Sequence, residues 1–129
     1  MKKLIADTNI FLCFLQNDVP NQANEVEKYF ELAAKGEIQI QVFSIVIFEI
    51  VFGLEKFYGK TKKEAAELVK KVVAAPYLKV EDKEVFIEAL RKYRNFNASL
   101  VDIFLFYKAK AVGGTILSFD KHFERLENN

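Results

Sequence analysis

Four apolar segments of the chain each carry one carboxylate, and that pattern limits how the segments can be buried. Glu49 stands inside Ile45-Val46-Ile47-Phe48-Glu49-Ile50-Val51-Phe52. Asp7 follows Leu4-Ile5-Ala6, Asp102 interrupts Leu100-Val101-Asp102-Ile103-Phe104-Leu105-Phe106, and Asp120 follows Ile116-Leu117-Ser118-Phe119. An unpaired buried charge costs on the order of several kcal/mol, so such a group finds a cation or a metal, or stays protonated. Acids planted at the end of or inside apolar segments point to one shared negative site, and such a site calls for a divalent metal.

The segments themselves alternate in period. Leu4 to Ala6 reads as a short buried strand and Thr8 to Gln16 as a helix. Asp18 and Pro20 open a second helix, with Ala23, Val26, Tyr29, Phe30 and Ala33 at helical spacing and Gly36 as a left-handed cap. Ile38-Gln39-Ile40-Gln41-Val42 alternates, as a strand with one more polar face does. Ser44 caps the helix that carries Glu49, which ends near Gly59. Thr61-Lys62-Lys63-Glu64 is a capping box, followed by a buried stripe of Ala65, Leu68, Val69, Val72 and Val73. After Pro76, Tyr77 to Val80 is a short strand, and Asp82 caps a helix through Arg94. Ser99 opens the helix with Asp102, Gly113-Gly114 ends it, and Thr115 to Phe119 reads as the last strand.

Strands alternating with helices imply one domain over residues 1–129, a three-layer α/β/α fold with a central parallel sheet covered on both faces. Ligands of such open sheets sit at the carboxyl ends of the strands. Asp7 and Asp120 follow strands directly, while Glu49 and Asp102 lie in the first turns of helices, so all four can point to one edge of the sheet.

Each acid taken alone also has a purely structural explanation. Asp7 can cap the helix after it, Asp102 can close a capping box with Ser99, and Asp120 can cap a short helix through Phe123 and Leu126. Glu49 is the exception, because nothing local gives it a cap role; a buried salt bridge is its alternative. Gathered together, the acids repel by about 3 kcal/mol per close pair at an effective dielectric near ~20. Hard divalent ions such as Mg²⁺ or Mn²⁺ relieve that repulsion and prefer oxygen ligands. One Cys and one His cannot build a thiolate–imidazole zinc site.

Charge and cysteine usage narrow the setting. With 19 basic and 18 acidic residues and a net charge of +1, the chain is not a strongly basic nucleic-acid coat, though a local basic surface remains open. Cys13, alone and among Phe11, Leu12, Phe14 and Leu15, has no internal disulfide partner and fits a reducing compartment. No segment has the length and apolarity of a membrane span, and the start, interrupted at Asp7 and Asn9, lacks the cleavage site of a signal peptide. The expected setting is the cytoplasm. Phe52, Phe57, Tyr58, Tyr93, Phe96 and Tyr107 exceed what one small core should need, which points to a homodimer.

Four stretches carry a resemblance to a known family. They are Ile5-Ala6-Asp7-Thr8-Asn9, the run from Phe48-Glu49-Ile50 through Gly53-Leu54 to Tyr58-Gly59, Leu100-Val101-Asp102-Ile103-Phe104-Leu105, and Leu117-Ser118-Phe119-Asp120-Lys121-His122-Phe123. In this order and spacing the chain resembles PIN-domain ribonucleases, specifically the VapC-type toxins of toxin–antitoxin pairs. The resemblance implies metal-dependent hydrolysis of RNA phosphodiester bonds with Mg²⁺ or Mn²⁺, a cognate antitoxin as partner, and Asp7, Glu49, Asp102 and Asp120 as catalytic and metal-site acids. Asp7 and Asp102 would be direct ligands, with Glu49 and Asp120 completing the shell or orienting water. Thr8, Asn9 and Ser118 are candidates to fix ligand orientation, or are helix caps. Ser99 and His122 stand where many relatives carry a further acid, so one ion is as credible as two. His122 itself reads as a surface or pocket-rim residue.

Two other Mg²⁺-dependent classes fit less well. A receiver-like signalling module would show adjacent acids after the first strand and an Asp after a middle strand, but Thr8 follows Asp7 and no middle strand ends in Asp. A haloacid-dehalogenase-like phosphatase would carry Asp where Asn9 stands.

Overall fold

Three short parallel strands form the sheet in the order β1-β2-β3: β1 (Lys2–Ile5), β2 (Ile38–Val42) and β3 (Leu78–Val80). The structure is a computed structural model that describes residues 1–16 and 19–128. Lys2 lies opposite Ile38 and Ile5 opposite Gln41; Ile40 lies opposite Leu78 and Val42 opposite Val80. The middle strand is the most buried. Ile40 and Val42 face the core, and on the alternate positions Gln41 donates to Gln39 at 2.9 Å, the polar face expected from the alternation.

Each parallel return needs a crossover, and each crossover here holds two helices. Between β1 and β2 run α1 (Thr8–Gln16) and α2 (Pro20–Ala34); between β2 and β3 run α3 (Ser44–Phe57) and α4 (Lys62–Ala74). After β3 come α5 (Lys83–Tyr93), α6 (Leu100–Val112) and the short α7 (His122–Glu127). The helices and sheet make a three-layer α/β/α fold. Pro20 takes the first turn of α2, where its missing N–H costs no helical bond; Asp18, expected beside it, lies outside the described residues. Gly36 follows α2 at φ +77°, the left-handed exit expected of it. The Thr61–Glu64 capping box forms with both reciprocal bonds, and Ala65, Val69, Val72 and Val73 are buried while Leu68 is half-buried.

The core is aromatic at two centres. Phe48, Phe86 and Phe104 pack α3, α5 and α6 together, with ring centroids 4.8 to 5.2 Å apart. Phe11, Phe14, Phe30 and Tyr77 join α1 and α2 to the sheet edge of β3. These centres explain part of the aromatic excess. Tyr93 and Phe96 are buried and Tyr58 and Tyr107 are half-buried, which leaves Phe52 and Phe57 exposed at 57% and 69%.

Four expectations change. Thr115 to Phe119 is not a strand: among the described residues it pairs with no neighbour, and Leu117 and Phe119 are fully exposed. Its β-favouring residues specify an extended backbone, but a strand also needs an edge to pair with, and β1 pairs only with β2. β1 is accordingly an edge strand with Lys2, Lys3 and Ile5 exposed, rather than a buried one. Ser44 is not a side-chain cap: Phe43 holds the cap position, and Ser44 donates its N–H and hydroxyl to Glu81 Oε1 at 2.9 and 2.8 Å. Asp82 sits at the cap of α5 in a left-handed conformation, φ +56°, but its carboxylate goes to Lys108 at 2.7 Å and Ser44 at 3.1 Å.

Candidate active site

Asp7 follows β1 directly and takes up the local duty open to it. Its Oδ1 accepts from the N–H of Ile10 at 3.2 Å, a cap on α1. The next residue, Thr8, donates its hydroxyl to Glu49 Oε1 at 2.8 Å, so the start of α1 is tied to the middle of α3. Gly53 permits that closeness: a Cβ there would meet Leu12 Cδ1 at 3.3 Å. Asp7, Thr8, Asn9 and Glu49 line one cleft of about 450 Å³.

Glu49 is exposed, which corrects the premise that its apolar run is buried all round. Val46, Ile47, Ile50, Val51 and Leu54 take the inner side of α3, and Glu49 shares the outer side with Ile45, Phe52 and Lys56. Its charge is therefore solvated, and its position is decided by Thr8 rather than by desolvation. The outer side of α3 also borders a second groove of about 680 Å³ that reaches Tyr93, Ser99 and Val101. Glu49 lines both hollows, so it stands between Asp7 and the start of α6.

Asp102 occupies the first turn of α6. The Ser99 hydroxyl accepts from the Asp102 N–H at 3.1 Å, so the cap uses the backbone of Asp102 and leaves its carboxylate free for another partner. That partner is His122, the first residue of α7, whose Nε2 lies 2.9 Å from Asp102 Oδ2. Asp120 is exposed, and its N–H donates to the Ser118 hydroxyl at 3.0 Å. Ser118 thus holds the backbone of Asp120, and Thr8 holds the carboxylate of Glu49. Ligand atoms of Asp102, Asp120 and His122 all lie within 4.8 Å of one another. Among the described residues, Asp7 and Glu49 stand outside that group. The four acids thus fall into two parts, one on β1–α1–α3 and one on α6–α7.

His122 is the residue that sequence reasoning set aside. Its contact with Asp102 has the distance of an ion pair without the alignment of a hydrogen bond, and Nε2, almost wholly shielded, has no other partner. A signal was present: the chain's one histidine stands two residues after Asp120. Two carboxylates and a shielded, unsatisfied imidazole nitrogen at this spacing fit a divalent ion.

Cations outside the site position its α6 half. Lys62 donates to the carbonyls of Phe96 and Ala98 at 2.7 and 3.1 Å and lies 4.3 Å over the Tyr93 ring, which pins the turn before Ser99. Burial lowers the Lys62 pKa, opposed in part by Glu55. Tyr93 in turn donates to Glu55 at 2.6 Å, and burial with that bond raises its pKa well above the usual phenol range. Lys108 of α6 pairs with Asp82, and its hydrogen bond is the main cause that lowers the Asp82 pKa. Among the basic residues, Arg91, Arg94 and Lys108 are paired with acids and Lys62 with carbonyls. Lys56, over the Phe52 and Phe57 rings, and exposed Lys121 flank the two acidic parts.

Residues 4–129 match the family model for the PIN domain. A VapC ribonuclease of Aquifex aeolicus (strain VF5) is 30% identical over 124 residues, which cover 95% of this chain and 90% of that protein. No solved structure matches the chain.

Proposed function

The chain belongs to the PIN-domain family, and from that premise we propose that it is a metal-dependent endoribonuclease, the toxin of a VapC-type toxin–antitoxin pair. The observation that carries the reading is the grouping of Asp102, Asp120 and His122 at the start of α6 and α7, in a chain similar along its length to a VapC ribonuclease. Asp102 and Asp120 would hold the ion, Mg²⁺ or Mn²⁺, and Asp7 and Glu49 would complete the acidic site from the other side. A bound divalent ion would supply positive charge to the phosphate and lower the pKa of a water it holds. Glu49, exposed and held by Thr8, would accept a proton from an attacking water, and Asp7, which caps α1, would support it from the end of β1. Lys56 and Lys121 offer exposed charge to the RNA backbone.

A receiver-like switch is not favoured, since β2 ends at Val42 and is followed by Phe43 and Ser44, with no acid to phosphorylate. An antitoxin is the expected protein partner, and self-association is the further proposal, now resting on exposed Phe52 and Phe57, with exposed Ile45 on the same helix. Sedimentation showing monomer alone at tens of micromolar would remove the dimer. Among the described residues no helix is long and apolar enough to cross a membrane. The working site proposed is the cytoplasm, where an RNA substrate and the unpaired Cys13 both fit.

The test is cleavage of a labelled RNA pool by the purified chain. Activity with Mg²⁺ or Mn²⁺ that stops in EDTA and returns on adding excess ion is the expected result. Undiminished cleavage in chelator would overturn the metal mechanism.

A further inference from the structure

We propose that Nε2 of His122 is itself a ligand of the divalent ion, together with carboxylate oxygens of Asp102 and Asp120, and that this nitrogen gives the site a preference for Mn²⁺ over Mg²⁺. The inference rests on the metal-dependent reading above and deepens it.

The first observation is the state of the nitrogen. Nε2 is shielded from solvent and makes no hydrogen bond, although Asp102 Oδ2 is 2.9 Å away. A protonated imidazole placed to neutralise Asp102 would aim its N–H at the oxygen; here it is not so aimed. A neutral imidazole that offers a lone pair to a third body between the two groups needs no such alignment. The second observation is the spacing. Around an ion with bonds of about 2.1 Å, adjacent ligand atoms lie about 3 Å apart and opposite ones about 4.2 Å. The His122–Asp102 separation of 2.9 Å matches an adjacent pair, and the 4.8 Å outer limit of the three-residue group is a little wider than an opposite pair. The third is support. His122 is the first residue of α7, its ring lies 4.7 Å from that of Phe123, and α7 is anchored by buried Leu126. The ring is thus carried by a packed element rather than by the exposed segment before it.

The chemical consequence follows from ligand type. Mg²⁺ favours oxygen donors and keeps its waters, whereas Mn²⁺, a first-row transition ion that also favours oxygen, accepts an imidazole nitrogen more readily than Mg²⁺ does. An acid at position 122 would make an oxygen-only set. Histidine there trades Mg²⁺ affinity for Mn²⁺ affinity and removes one negative charge from the group.

The chain has a single histidine, so a nitrogen signal from a bound ion can be assigned without ambiguity. The experiment is pulsed electron paramagnetic resonance on tag-free protein loaded with less than one equivalent of Mn²⁺, alongside direct titration of Mn²⁺ and Mg²⁺. The expected result is imidazole ¹⁴N modulation in the wild type. His122→Gln should lose that modulation and weaken Mn²⁺ binding by roughly tenfold or more. His122→Asp should recover binding without the nitrogen signal and narrow the Mn²⁺-to-Mg²⁺ affinity ratio. Mn²⁺ bound by the wild type with no nitrogen modulation would overturn the proposal and leave RNA hydrolysis standing, since cleavage in Mg²⁺ is measured separately. No binding of either ion would overturn both.

Discussion

The two parts of the proposed acidic site are built in opposite ways. The part on β1, α1 and α3 is held by hydrogen bonds its own residues make: Asp7 caps α1, and Thr8 grips Glu49 across a close α1–α3 contact at Gly53. The part on α6 and α7 is held from outside. Lys62 pins the turn before α6, Lys108 ties the body of α6 to Asp82 at the end of β3, and packing of Leu126 seats α7. Within it, the His122 nitrogen and the exposed Asp120 carboxylate are left without good partners. A half-site whose groups satisfy each other is suited to hold shape; one that leaves the His122 nitrogen and the Asp120 carboxylate unsatisfied is suited to take up an ion.

The largest expected effect tests that division at Asp102. Asp102→Asn should lower RNA cleavage by at least about 100-fold, because the lost charge belongs to the ion-holding part. The same change should not lower the melting temperature in EDTA, since the Ser99 cap uses the Asp102 backbone and the substitution relieves repulsion with Asp120. With saturating Mg²⁺ the wild type should gain stability that the variant does not. A lower melting temperature for the variant in EDTA would make Asp102 a structural residue.

A smaller effect is expected at Lys62. Lys62→Met leaves the Phe96 and Ala98 carbonyls without their charged donor and should destabilise the fold by about 1–3 kcal/mol. Cleavage assayed well below the melting temperature should fall several-fold while RNA binding changes little, with partial recovery in Lys62→Arg. An unchanged turnover in a destabilised Lys62→Met protein would show that the start of α6 does not depend on the pin.

The smallest effect is the pH dependence of the second tether. The folded pKa of Asp82 lies below the usual carboxylate range because the hydrogen bond from Lys108 holds the charged form. Its contribution is therefore present above the unfolded pKa and is lost as pH falls through the folded one. Melting curves of the wild type and Asp82→Asn should differ at neutral pH and converge in acid. A difference that persists below the folded pKa would mean that the Lys108 pair is not what anchors α6.

Much of the frame was legible because it is local. The boundaries of α1 and β2 agree with the periodicity, the Thr61 box forms as read, and Gly36 and Gly113 adopt the left-handed exits their positions suggest. The acids were legible as candidates because charges in apolar runs are conspicuous, but the reason given for Glu49 was not the right one. An apolar run on a helix can face a groove as well as a core, and only the packing of α3 against its neighbours separates the two. The aromatic surplus likewise shrank once Tyr93 and Phe96 were seen inside the core.

By itself, the order of residues determined the type of nearly every element, since helix spacing, strand alternation and caps depend on neighbours a few positions away. It marked the four acids as candidates for one oxygen-rich site and left too few Cys and His for a thiolate–imidazole zinc set. Tertiary structure alone decided that Thr115 to Phe119 stays unpaired, because a strand exists only where another edge receives it. It alone decided that His122 comes to within 2.9 Å of Asp102, across 20 positions of sequence, because that distance depends on how α7 packs against α6 and on no local preference of either.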